Sequence, residues 1–149
     1  MPEINNPDVV LSTERVLPFN PEEVFDAFRQ PERLARWWGP KGFTNTFDQF
    51  EFEVGGRWVF TMHAPNGANY ANESVFEEVL PGEKIVIRHI PPPQFTLTVT
   101  LSPRDDGTHL AWDQEFETAE MAAKLRPLSK TANEENLDRL HAVLSGETP

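Results

Sequence analysis

The sequence contains no cysteine and a single tyrosine, and its 13 Lys and Arg are outnumbered by 24 Asp and Glu. Without cysteine there is no disulfide, thiolate nucleophile or thiolate metal site, as befits a reducing compartment. A formal charge of −11 repels phosphate backbones and anionic membrane surfaces, so nucleic acid is not an expected partner. No apolar run approaches the roughly 20 residues of a membrane-spanning helix. The opening MPEINNPDVV has neither the basic nor the apolar region of a signal peptide. The expectation is a cytoplasmic protein with no membrane insertion.

Large rings without a polar handle are what the chain has in quantity: 11 Phe and 4 Trp among 149 residues. That length and ring content predict one domain over residues 1–149 built around one core, with residues 1–7 a loose tail. Residues 8–17 read as a strand. In FNPEEVFDAF, Asn20 is an N-cap, Pro21 suits the first helical turn and Glu23 completes a capping box. A second short helix begins at Pro31, places Leu34, Trp37 and Trp38 at i, i+3 and i+4, and stops at Gly39-Pro40. The two tryptophans pose a question, because neighbours on a helix point about 100° apart. One of them anchors the helix in the core, and the other needs a different use.

From Phe43 onward the period becomes two. Strands are predicted at 43–54, 57–63, 69–79, 84–90, 95–102 and 108–117, with a hairpin turn at Gly55-Gly56 and an interruption at the triple proline 91–93. The remainder is helical, with Met121, Leu125, Leu128, Ala132, Leu137, Leu140 and Leu144 as its apolar stripe, a break or kink at Pro127 and a stop at Gly146. An antiparallel sheet of this size must bury one face, and the long C-terminal helix is the cover at hand. The fold class is therefore α+β.

Polar residues on faces that should be apolar suggest a site. Gln114 shares a face with Leu110, Trp112 and Phe116; His89 with Ile85 and Ile87; Asn72 and Ser74 with Tyr70 and Phe76. Trp58, Phe60 and Met62 supply another apolar face. Aromatic walls with sparse polar groups describe a small-molecule pocket. The same residues also suit a packed core whose polar groups find internal partners. His63, His89, His109 and His141 lack the spacing of a metal motif, so no metal is expected. His109 alternates with the apolar face and is expected to be solvated, and His141 sits among charges on the C-terminal helix. His89 is the acid–base candidate, lying beside apolar residues before the proline turn. No nucleophile elbow or phosphate-binding glycine loop is present, and no cofactor is called for.

Taken together, FNPEEVFDAFRQPERLARWWGPKGF, EVGGRWVFTM, YANESVFEEVLPGEKIV and NLDRLHAVL resemble the bacterial homologues of the activator of heat-shock protein 90 ATPase. That family is part of the START-like, helix-grip superfamily, with polyketide cyclases and birch-pollen-allergen-type proteins. The resemblance spans about residues 8 to 145. It implies a curved antiparallel sheet of about seven strands wrapped around a long C-terminal helix, with two short helices after the first strand and a cavity between sheet and helix. Carried over to this chain, Trp38, Phe60, Met62, Asn72, Phe95, Trp112 and Gln114 fall on the cavity walls, and Trp38 is the tryptophan that faces the cavity. RHIPPPQF resembles one subgroup, which draws attention to His89 without giving it a role.

The first expectation is binding of a small hydrophobic or aromatic molecule, oriented by Asn72, His89 and Gln114. The alternatives are a metal-free cyclase or dehydratase using His89, and an interaction module docking through the tryptophan pair. A homodimer is compatible with a domain of this size. A chaperone partner is doubtful, since the eukaryotic activator also uses a second domain that this chain lacks.

Overall fold

The computed structural model describes residues 8–149; the predicted tail 1–7 lies outside them. Strand β1 is Val10–Leu17, followed by helices α1, Pro21–Arg29, and α2, Pro31–Trp37. Strands β2 (Thr44–Phe50), β3 (Arg57–His63), β4 (Asn69–Leu80), β5 (Lys84–His89), β6 (Phe95–Arg104) and β7 (Gly107–Phe116) follow, and helix α3 is Ala119–Leu144. The strands form one curved antiparallel sheet in the order β1-β7-β6-β5-β4-β3-β2. Each of β2 to β7 pairs with its sequence neighbour, and β1 closes against β7.

Local chemistry starts each helix. Asn20 accepts from the Glu23 N–H while Glu23 reaches back to the Asn20 N–H, the reciprocal capping box. Thr118 caps α3 by accepting from Met121 N–H. On the sheet, alternation carries Trp58, Phe60, Phe76, Ile85, Ile87, Leu97, Val99, Leu110 and Trp112 to the concave side, each no more than 3% exposed. There they meet Leu137, Leu140 and Val143 of α3, with Val24, Phe25 and Phe28 of α1 and Trp37 of α2. A smaller cluster of Leu11, Phe116 and Ala122 holds the first turns of α3 against the other end of the sheet. Arg15 on β1 ties the middle of the helix down through Glu134 and Asp138.

Four expectations need correction. β2 ends at Phe50 rather than 54: pairing resumes after a bulge between Phe47 and Gln49, and the chain then turns, with Glu53 N–H donating to Glu51 O and Gly56 N–H to Glu53 O. The chain then folds over so that Gly55 N–H donates to Phe76 O and Gly56 O accepts from Phe76 N–H. A Cβ at Gly56 would meet Glu51 O at 2.0 Å, so only glycine fits there. α3 runs unbroken through Pro127, its 26 residues spanning one helix. Leu128 does not belong to the buried stripe: it is 71% exposed, about 100° round the helix from the inward-facing Ser129. Tyr70, near the free end of the β3–β4 hairpin, is 51% exposed and lies beside Phe43 instead of facing inward with Phe76.

His141 is half-buried with its ring edge-on to Phe19, and His109, on the outer face, is partly covered and paired with the exposed Glu14 at 2.6 Å.

Candidate functional site

The end of α2 decides what the tryptophan pair does. Trp37 is the last helical residue and is fully buried; its indole Nε1–H donates to Ala27 O at 2.9 Å and its ring packs edge-on to Phe28. Trp38 follows in extended conformation, φ −69° and ψ 133°. That change of backbone swings the second ring away from the helix and onto Trp58 and Trp112, at centroid distances of 4.9 and 5.8 Å. Gly39, at φ +99°, then turns the chain as few other residues can. A Cβ there would also press on Met62 Cε at 2.7 Å.

A helix end leaves four carbonyls without intrahelical partners, and here each one is met. Leu34 O accepts from Trp38 N–H, Ala35 O from Asn45 Nδ2, Arg36 O from Arg139 Nη2 and Trp37 O from Asn136 Nδ2. Arg139 goes on to donate to the carbonyls of Trp38, Gly39, Pro40 and Phe43. Its guanidinium is buried, and burial pushes its pKa down from the ordinary value. In place of a carboxylate it has this ring of carbonyl dipoles, one of them, Arg36 O, from the negative end of α2. Asn136 also accepts from Gly39 N–H at 3.3 Å. The segment that carries Trp38 is thus clamped to the second half of α3.

Beyond the clamp lies a cavity of about 280 Å³ between the sheet and α3. All eight residues singled out from the sequence line it: Trp38, Phe60, Met62, Asn72, His89, Phe95, Trp112 and Gln114. They come from the α2–β2 connection and from β3, β4, β5, β6 and β7. Phe60, Trp112 and Gln114 form the buried floor, while Met62, Asn72, His89 and Phe95 are half-buried nearer the outside. Helix α3 contributes a wall that the sequence reading missed, Ser129, Ala132, Asn133 and Asn136. Their spacing of three and four residues is the helical signal that could have revealed it.

Two polar groups converge inside. Asn133 Nδ2 donates to Gln114 Oε1 at 3.0 Å, an amide pair that leaves the Gln114 nitrogen and the Asn133 oxygen for other partners. At the rim, the His89 ring stacks on Phe95 at 4.7 Å; its Nδ1 lies 3.0 Å from Pro93 O and its Nε2 lies 2.8 Å from Asn72 Oδ1. Burial pushes the His89 pKa below the ordinary histidine value, and hydrogen bonds to the Pro93 and Pro91 carbonyls oppose the shift. Two oxygens on one ring suit an imidazolium, whereas burial favours the neutral form. Asn72 Nδ2 donates to Tyr70 O at 3.0 Å, which fixes Asn72 Oδ1 as the acceptor for a proton on His89 Nε2, as Pro93 O is for one on Nδ1. Among the described residues no cluster of His, Asp and Glu has the arrangement of a metal site.

One curved seven-stranded antiparallel sheet gripping a long C-terminal helix defines the α+β helix-grip, START-like class. Residues 18–145 match the family described as "Activator of Hsp90 ATPase homolog 1-like protein", and the chain belongs to that family. Among solved structures it is similar to protein NE0264 from Nitrosomonas europaea, at 18% identity and TM-score 0.89, covering 97% of this chain and 99% of that one. Protein CV1439 from Chromobacterium violaceum gives 27% identity and TM-score 0.81, covering 90% and 96%. An AHSA1-like protein from Aeromonas hydrophila gives 19% identity and TM-score 0.74, covering 92% and 94%. No curated protein matches the sequence. No helix among the described residues is long and apolar enough to cross a membrane.

Proposed function

We propose that the protein binds a small hydrophobic or amphipathic molecule in the cavity between its sheet and α3. The observation that carries this reading is convergence: aromatic side chains from separate strands and Trp38 surround about 280 Å³ of space instead of filling it. Affinity would come from apolar burial, worth about 25 cal/mol per Å² before the costs of association. Asn72, His89 and Gln114 would orient the bound molecule. His89, with both ring nitrogens engaged, serves in this reading as a wall and not as a general base. The family description names an activator of a chaperone ATPase, but binding in the cavity requires no chaperone.

Native and denaturing mass spectra of freshly purified protein test the reading. A mass excess that disappears on denaturation, and is absent from a Trp38→Ala variant of unchanged fold, supports it. Retention of the same mass by a variant whose cavity is blocked by Ala132→Trp would place the molecule elsewhere and overturn it.

A further inference from the structure

Size, charge and hydrogen-bonding capacity together narrow what the cavity can hold. By scaling from a dry cavity of about 150 Å³ that takes benzene, 280 Å³ accommodates roughly eleven non-hydrogen atoms. That suits one or two fused rings held inside, whereas a sterol or a long-chain lipid would have to extend out through the mouth.

The lining, in a chain of formal charge −11, includes no Asp, Glu, Lys or Arg. Arg139 stands nearby, but five main-chain carbonyls enclose its guanidinium behind the Trp38–Pro40 wall. An ion in the cavity would lose its hydration and gain no counter-charge, a cost of several kcal/mol. The excess negative charge of the surface adds a long-range barrier to anions.

Neutral polar groups are nonetheless available. The Gln114 nitrogen is a donor and the Asn133 oxygen an acceptor, neither of them used in the bond between the two amides, and both residues line the space. The hydroxyls of Ser74 and Ser129 also line the space. An amide edge on a ligand offers the complementary acceptor and donor.

Resting on the cavity-binding reading, we propose that the ligand is an uncharged, compact mono- or bicyclic aromatic molecule. It carries a neutral donor–acceptor edge, such as a carboxamide or lactam, that pairs with Gln114 and Asn133, and its rings lie among Trp38, Phe60 and Trp112. Carboxylates, amines and extended acyl chains are disfavoured.

An isosteric series tests this. The protein is titrated at about pH 7.5 with benzamide, benzoate, benzylammonium and palmitate, following indole and side-chain amide signals by NMR. The expected result is saturable binding of benzamide, about tenfold or more tighter than either charged analogue, with shifts of the Gln114 and Asn133 amides. Asn133→Ala should weaken benzamide severalfold and leave toluene unchanged. Equal or tighter binding of the anion, the cation or palmitate overturns the inference and leaves cavity binding standing. If no compound in the series binds while the native mass spectrum shows a retained molecule, the inference alone fails. If none binds and none is retained, both fail.

Discussion

His89 and Arg139 show how one side chain's surroundings set its behaviour. Burial lowers the His89 pKa, so the native state resists a proton that the unfolded chain accepts near pH 6.5. Above that value both states are neutral and the residue contributes nothing pH-dependent. As pH falls below about 6.5, the unfolded state binds the proton first and native stability is lost, until the folded pKa is passed. Urea unfolding of wild type and His89→Gln from about pH 7.5 to 5 should therefore show the variant gaining on wild type with acidification; parallel pH profiles would contradict this. Arg139→Met should cost at least about 3 kcal/mol, because it strips a charged donor from five buried or half-buried carbonyls at once. Its unfolding midpoint in urea should drop accordingly, and tryptophan emission should shift to the red as Trp38 loosens. Unchanged emission would mean that Asn136 and Asn45 suffice to hold the segment.

At the scale of elements, the informative feature is α3. A helical stripe of leucines was legible in the sequence, and Leu137 and Leu140 are fully buried. The first half of the helix follows other rules: Ala122 packs beneath Met121 and Leu125 in the small cluster, Ser129 and Asn133 face the cavity, and Leu128 faces solvent. Polar residues at helical spacing on an inner face were present to be read, but only the position of the sheet shows that this face is inner. Pro127 was expected to break or kink the helix, and the helix is not broken there. The surrounding packing holds the backbone helical despite the missing N–H. Pro127 is itself exposed, so Pro127→Ala should restore a hydrogen bond without disturbing the core. The unfolding midpoint should rise, by up to about 3 kcal/mol in stability. No rise would show that packing or an adjusted turn already compensates for the proline.

For the molecule as a whole, the −11 charge matters more than any single ion pair. Exposed pairs such as Arg29–Asp26 and Arg88–Glu77 contribute about 0–1 kcal/mol each and weaken with salt. Repulsion among the excess carboxylates is also screened, once the Debye length falls from about 10 Å at 0.1 M towards 3 Å at 1 M. The second effect should win, so the thermal midpoint should rise between about 0.1 and 1 M NaCl. A fall would mean that the ion pairs, including the Arg15 tie between β1 and α3, outweigh the net repulsion.

The sequence alone determined what depends on neighbours in the chain: the capping box at Asn20 and Glu23, the alternation of β3 to β7, the turn at Gly39, and the ring-rich face interrupted by Asn72, His89 and Gln114, although α2 ends at Trp37, one residue short of the helical Trp38 expected. Backbone propensity and side-chain period act over a few residues, so they can be read in order along the chain. Only the tertiary structure decided that Trp37 is core while Trp38 lines the cavity, that Arg139 and Asn136 cap a helix about a hundred residues earlier in the chain, and that the rings leave space between them. These depend on distances between residues remote in sequence, and a cavity is the small difference between a large enclosed volume and the side chains that nearly fill it.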